Sequence, residues 1–132
     1  MRAVIGTFPA LVAALALLLY VGVFVSVGRA RARYGIRAPA VTGVPEFERV
    51  FRVQQNTLEQ IIWFLPSLWL FALFASPLWA GLLGLVWIAA RAHYAVAYCC
   101  DPETRGPGFV IAFASAAVLL VGALLAIVAH LL

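Results

Sequence analysis

The sequence contains no lysine and little charge of any kind, since only 11% of its 132 residues are charged. Hydrophobic residues make up 66% of the chain, and the mean hydropathy is +1.07. A water-soluble domain of this size could not cover so much apolar surface with so few polar groups. The composition therefore excludes an ordinary soluble domain and predicts a protein that is embedded in lipid.

Cysteine and histidine are also scarce. The two cysteines, Cys99 and Cys100, are adjacent, and neighbouring cysteines are poorly placed for an ordinary disulfide. We expect both to remain free and to serve as small buried hydrophobic side chains. The two histidines, His93 and His130, lie too far apart in sequence to form a short metal-binding motif. The sequence therefore predicts no metal site.

Long apolar runs dominate what is present. A transmembrane helix requires about 20 mostly apolar residues. Four segments meet this requirement, at residues 8–27, 47–75, 78–98 and 109–132. The first is longer than the core of a signal peptide, which has about 7 to 15 residues, and we interpret it as a retained helix. We predict an all-α integral membrane protein, a four-transmembrane-helix bundle that forms a single domain over residues 1–132.

The arginines indicate how the bundle is oriented. Arg105 lies in the third connection, the second connection has no basic residue, and the first has four, namely Arg29, Arg31, Arg33 and Arg37. The positive-inside rule then places the first and third connections in the cytoplasm. Arginines at helix ends and inside helices, rather than along one soluble face, argue against nucleic acid as a partner. The chain has abundant arginine, alanine and glycine but no lysine. This composition indicates a GC-rich genome, which favours a bacterial inner membrane over the endoplasmic reticulum as the location of the protein.

Polar side chains recur at helical spacing on the second and third predicted helices. Because a helix turns about 100° per residue, side chains three or four positions apart share one face. The stripe on the third helix consists of Trp87, Arg91, Tyr94 and Tyr98, and the stripe on the second consists of Arg49, Arg52, Asn56 and Glu59. We expect the two stripes to face each other. Gln54 points almost the opposite way.

Two interpretations of these stripes are open. In the first, Glu59 pairs with Arg52 or Arg91, and the pair only neutralises charge inside the membrane and determines how the helices pack. In the second, several guanidinium groups against one deep carboxylate leave positive charge, amides and phenols available for an anionic ligand. We favour the second interpretation, because the polar groups exceed what pairing requires.

The segments PEFERVFRVQQNTLEQ and ARAHYAVAY, together with Arg105, resemble the membrane-associated proteins in eicosanoid and glutathione metabolism. The resemblance covers nearly the whole chain and is closest to the microsomal glutathione transferase and leukotriene C4 synthase branch. It implies a homotrimer that binds glutathione as co-substrate between neighbouring subunits, near the cytoplasmic face. It also implies that a lipophilic electrophile arrives from the surrounding membrane lipids.

The resemblance also assigns residues. It implies that Arg105 is the catalytic residue, approaching the glutathione sulfur, and that Arg31 and Gln54 come from the adjacent subunit. The remaining glutathione-binding residues would be Arg52, Asn56, Glu59, Tyr94 and Tyr98. A guanidinium beside the sulfur would stabilise the nucleophilic thiolate, because arginine stays protonated even in a partly dry site. The alternative for Arg105 is a purely topogenic arginine.

Two positions depart from the leukotriene synthase pattern. Gln60 replaces a tyrosine after the glutamate, and Ala32 separates two arginines that are consecutive in that branch. These departures argue against a dedicated leukotriene role. We therefore expect a membrane-bound glutathione transferase, with glutathione peroxidase activity as an addition. The alternatives are a non-catalytic lipid-binding scaffold of the same family and a purely structural membrane protein whose polar stripes hold the subunits together.

Overall fold

A computed structural model describes residues 6–132 and shows four long helices joined by short connections. The helices are α1 (Thr7–Tyr34), α2 (Pro45–Phe74), α3 (Pro77–Cys100) and α4 (Gly106–Leu131), with a 3₁₀ turn, η1 (Pro102–Arg105), before α4. Within residues 6–132, four helical segments are long and apolar enough to cross a membrane, the fourth comprising η1 and α4. The described residues include no β-strand. The all-α prediction with four membrane-spanning helices is confirmed.

The predicted end of the first helix was wrong. The helix α1 continues to Tyr34, so Arg29, Arg31 and Arg33 lie on its last turns and not in the first connection. Alanine and arginine alternate there, and both are good helix formers although arginine is not apolar. The helix ends where Gly35 adopts the left-handed conformation, with φ of 67°. The apolar run marks only the part of the helix that suits lipid, and the helix continues beyond it.

The other helix ends lie within three residues of those predicted. Pro45 is the first residue of α2, where its missing N–H has no intrahelical partner to lose. Glu46 and Glu48 follow in the first turn, where a carboxylate suits the positive end of the helix dipole. Ser76 caps α3, because its Oγ accepts a hydrogen bond from the Trp79 N–H at 3.4 Å.

The helices α2 and α3 form the middle of the bundle, since they contact each other and each contacts both α1 and α4. In this core the rings of Phe64 and Trp87 stack with centroids 4.0 Å apart. Gly108 allows α4 to approach α3 closely. A Cβ at that position would lie 2.9 Å from the Ala90 carbonyl oxygen and 2.9 Å from the Tyr94 nitrogen. The start of α4 therefore packs directly on the backbone that carries Tyr94.

The outer surface of the bundle is apolar. Large hydrophobic side chains on every helix are exposed, including Leu18, Ile62, Val96 and Leu125, each about two-thirds accessible. In water such a surface would cause aggregation, whereas hydrocarbon solvates it without cost. The chain is therefore an integral, multi-pass membrane protein.

Both cysteines are free, but the prediction that they are buried was wrong. Cys99 and Cys100 are exposed at the end of α3. The buried positions of this helix include Trp87, Arg91 and Tyr94, and the two cysteines lie off that stripe. Their place on the helix, rather than their apolar character, determines their exposure.

Candidate functional site

The polar stripes of α2 and α3 face each other, as the spacing predicted. Arg91 is 1% exposed, and its guanidinium reaches across to α2. Its Nη1 donates to Asn56 Oδ1 at 3.0 Å, and its Nη2 donates to Thr57 Oγ1 at 2.8 Å. The buried arginine therefore bonds to an amide and a hydroxyl, and not to Glu59 as one interpretation of the sequence had it.

A second buried contact lies one turn deeper. The indole Nε1 of Trp87 donates to Gln60 Oε1 at 3.2 Å, and both residues are buried. Neither Gln60 nor Thr57 was predicted to contribute to this network. The helical period could have identified both residues. Thr57 lies one turn after Val53, and Gln60 lies one turn after Asn56, which places them on the face of α2 toward α3. Gln60, which stands where the leukotriene synthase pattern has tyrosine, thus forms a hydrogen bond with Trp87.

This buried network has more donors than the chain satisfies. Gln60 Nε2 and Arg91 Nε are buried and have no hydrogen-bond acceptor among residues 6–132. An unsatisfied buried donor costs about 1 to 3 kcal/mol, so such groups are uncommon in structures that serve stability alone. The network therefore has the character of a polar site and not merely of a helix-packing contact.

Glu59 and Arg52 lie on the outer side of the same stripe. Arg52 Nη1 is 3.5 Å from Glu59 Oε1, and the two side chains are 54% and 56% exposed. Asn56 Nδ2 donates to Glu59 Oε2 at 3.4 Å. In contact with water, an ion pair this exposed is worth about 0 to 1 kcal/mol. The pairing foreseen in the first interpretation is therefore present, but it contributes little to stability.

The depth of Glu59 makes its exposure significant. The apolar half of α2, residues 61–74, is about 21 Å long at 1.5 Å per residue. A hydrocarbon core of about 30 Å requires roughly six more residues, which brings Asn56 and Glu59 to the membrane boundary. An ion pair that faces outward at this depth is costly unless a ligand or another protein surface covers it.

Two arginine and two tyrosine side chains form a row of contacts from the bundle interior to its end. The Arg91 guanidinium lies 4.1 Å from the centre of the Tyr94 ring, and the Tyr94 and Tyr98 rings lie 5.6 Å apart. The Arg105 guanidinium lies 5.3 Å from the Tyr98 ring, and its Nη1 donates to the Pro102 carbonyl at 2.9 Å. These cation–π contacts hold the exposed Arg105 beside the phenols.

A cavity of about 410 Å³ opens between these elements. Arg52 of α2 and Tyr98 of α3 line it, together with Arg49, Glu48 and residues of the first connection. Its volume is within the range of small-molecule sites, about 300 to 1,000 Å³. The structure thus brings Arg52, with its partners Asn56 and Glu59, to the end of the bundle where Tyr98 and Arg105 lie.

Arg31 and Gln54 lie elsewhere in the single chain. Gln54 is buried against α1, where its Nε2 donates to Tyr20 Oη at 2.8 Å. Arg31 donates to the Ala40 carbonyl at 2.7 Å and lies 5.1 Å from the centre of the Phe47 ring. Both line a separate cavity of about 790 Å³ between α1 and α2. The structure does not bring them together with the other predicted site residues, and their reach into a neighbouring subunit remains a prediction.

The fold and this polar cluster define a class: a four-helix integral membrane protein with an open, arginine-rich site at one end of its bundle. In the part of the chain that the structure describes, no three His, Cys, Asp or Glu side chains are grouped as a metal site would require. The model of the MAPEG family matches residues 9–125. The chain belongs to this family.

Relatives of the chain include named enzymes. An uncharacterised protein of the cyanobacterium Synechocystis is 52% identical over 120 residues, which cover 91% of this chain and 88% of that protein. Human microsomal glutathione S-transferase 2 is 43% identical over 99 residues, or 74% of this chain and 67% of the enzyme. Bovine leukotriene C4 synthase is 38% identical over 76 residues, or 58% and 51%. The aligned segments span about half to two-thirds of the two enzymes. The resemblance to this branch is confirmed.

Proposed function

We propose that the protein is a membrane-embedded glutathione transferase that joins the glutathione thiolate to lipophilic electrophiles, with reduction of lipid hydroperoxides as a second activity. One observation carries the proposal: the Arg52–Glu59 pair is exposed toward the end of the bundle that carries Tyr98 and Arg105. Glutathione supplies two carboxylates and one ammonium group. These charges complement the arginines and the glutamate.

The buried network prepares Asn56 for this ligand. Because Asn56 Oδ1 accepts from Arg91, its amide nitrogen is directed toward Glu59 and the open side of the stripe. A ligand carboxylate would then meet the Asn56 amide and the Arg52 guanidinium, while the ligand ammonium would meet Glu59. Tyr94 and Tyr98 would offer phenol groups on the other side.

We propose a homotrimer in which each glutathione site lies between two subunits. Arg31 and Gln54 occupy a different surface from Arg52 and Glu59, yet both surfaces lie toward the end of the bundle where α1 ends and α2 begins. In a closed symmetric oligomer one such surface can cover the other. Contact with a neighbour would also remove the exposed ion pair from lipid, which favours assembly.

The proposed chemistry uses Arg105 to hold the negative charge on sulfur. The thiolate electron pair forms a C–S bond with the electrophilic carbon, and the leaving group departs with the electrons of its own bond. With a hydroperoxide, sulfur takes the terminal oxygen and an alcohol is released after protonation. A second glutathione then forms the disulfide with release of water.

For the location of the site we propose the cytoplasmic side of a bacterial inner membrane. Arg29, Arg31 and Arg33 lie on the last turns of α1 and Arg37 lies beyond it. Arg105 lies in the third connection, at the same end of the bundle. This distribution follows the positive-inside rule. The cyanobacterial relative agrees with a bacterial source.

An assay of the purified protein with glutathione and chlorodinitrobenzene tests the activity. We expect conjugate to form in proportion to protein concentration. Glutathione binding without turnover would instead indicate the non-catalytic lipid-binding scaffold. Absence of binding would indicate that the polar stripes are only structural.

Glu59→Gln and Arg52→Ala should each weaken glutathione binding by roughly 10- to 100-fold, because each removes a charge-assisted contact worth about 1.5 to 3 kcal/mol. Isothermal titration calorimetry in detergent measures the affinity. The matched controls are Glu46→Gln and Arg37→Ala, which remove the same charges from exposed positions that do not line the 410 Å³ cavity. Unchanged affinity in both site variants, with the oligomer intact, would show that glutathione does not bind here.

Native mass spectrometry of the detergent-solubilised protein should give the mass of three chains. The physical reason is that a single bundle leaves the Arg52–Glu59 pair exposed at the depth of the membrane boundary. Detection of monomer alone in several mild detergents would contradict the proposed trimer.

A further inference from the structure

A further polar cavity lies at the end of α1, and one of its residues, Arg29, also lines the cavity of Arg31 and Gln54. It has a volume of about 230 Å³, and its lining includes Arg29, Arg33, Tyr34, Ser26 and Val50. The two arginines are one helical turn apart, so both guanidinium groups project from the same face of α1. The cavity is therefore cationic and also offers two hydroxyl groups.

An apolar groove of about 370 Å³ adjoins this cavity. Ser26 and Val50 line both spaces, so the two spaces are adjacent. The groove extends between α1, α2 and α3, where Val23, Val53 and Val96 form much of its wall. None of the residues assigned to the glutathione site lines either space.

The order of these features along the membrane normal is that of a phospholipid. Arg33 lies seven residues beyond Ser26, or about 10 Å further toward the end of α1. Val23 lies in the opposite direction, toward the middle of the bilayer. The cationic part is thus at the level of lipid headgroups, and the apolar part is within the hydrocarbon.

We propose that this composite surface is a binding site for an anionic phospholipid, with the phosphate held by Arg29 and Arg33 and an acyl chain in the groove. Arginine suits phosphate because its planar group can donate two parallel hydrogen bonds. Basic pockets between transmembrane helices bind anionic headgroups in the same way. This inference does not depend on the proposed glutathione chemistry.

The charges around the cavity are consistent with this ligand. Across the described 127 residues the one ion pair joins Arg52 and Glu59, so neither Arg29 nor Arg33 is neutralised by a carboxylate of the chain. Glu46 lies one turn before Val50 on α2 and is exposed. If Arg29 and Arg33 served only to orient the chain in the membrane, Arg37 would be equivalent to them. Arg37, however, lines neither the cavity nor the groove.

Native mass spectrometry with defined lipids tests the proposal. The protein is exchanged into detergent that contains equal amounts of phosphatidylglycerol and phosphatidylcholine. We expect selective retention of phosphatidylglycerol. Arg33→Gln should lower that retention about fivefold, whereas Arg37→Gln, which removes the same charge nearby, should leave it unchanged. Equal loss in both variants would show a diffuse charge effect and would overturn the site.

A further pair of measurements tests the acyl groove. Ala95→Phe fills the groove without changing any charge, and it should reduce phosphatidylglycerol retention while the helical circular dichroism is preserved. Glycerophosphoglycerol, the headgroup without acyl chains, should not displace the lipid at equal concentration. If Ala95→Phe retained the lipid fully, or if the free headgroup displaced it, the site would be one for phosphate alone and the proposal would be wrong.

Discussion

Arg105→Ala is expected to lower kcat/KM for glutathione conjugation by about 10²- to 10³-fold, the loss typical when one donor to a developing anion is removed. The exposed Arg105 guanidinium is held against Tyr98 and the Pro102 carbonyl. From that position it can stabilise a thiolate at the mouth of the site. Its removal should raise the pKa of the bound glutathione thiol toward the free value of about 8.5. At neutral pH less of the bound ligand is then the reactive anion.

The ultraviolet absorbance of the thiolate, followed against pH in the binary complex, measures this pKa directly. Wild type should titrate at a lower pH than Arg105→Ala. Arg105→Lys preserves the positive charge needed for topology, so it separates a topogenic role from a catalytic one. Coincident titration curves for wild type and Arg105→Ala would show that Arg105 does not activate sulfur.

Arg91→Met should raise the KM for glutathione at least tenfold and lower the free energy of unfolding by about 3 kcal/mol. The buried Arg91 side chain makes two charge-assisted hydrogen bonds, to Asn56 and Thr57, each worth about 1.5 to 3 kcal/mol. Without them the Asn56 amide loses the partner that directs its nitrogen toward the ligand. We therefore propose that Arg91 is a positioning residue that acts on glutathione through Asn56. Steady-state kinetics and denaturant unfolding measure the two effects.

A double-mutant cycle distinguishes positioning from stability alone. If Arg91 acts through Asn56, the effects of Arg91→Met and Asn56→Ala on KM should be strongly non-additive. Arg91→Lys is the conservative control, since a single ammonium group cannot reproduce the fork that reaches both acceptors. It should preserve more stability than Arg91→Met and still raise KM. Additive effects on KM would assign Arg91 to the fold and not to the site.

The four helices could be predicted from the sequence because lipid leaves few alternatives. A backbone group in hydrocarbon cannot bond to water, so an apolar run of about 20 residues must satisfy its hydrogen bonds as a helix. The helical period also predicted correctly that the stripe of Arg91 and Tyr94 faces the stripe of Asn56. These features depend on hydropathy and spacing, both of which are written along the chain.

Only the tertiary structure decided which polar groups meet. A helical period assigns a face to each side chain, but it does not give the axial position or rotation of the neighbouring helix. Arg91 therefore bonds to Asn56 and Thr57 instead of Glu59, and Gln60 meets Trp87, because α2 and α3 pack at one particular register. The continuation of α1 through its arginines has a related cause. Hydropathy records where lipid ends, whereas the helix ends only where Gly35 turns the backbone.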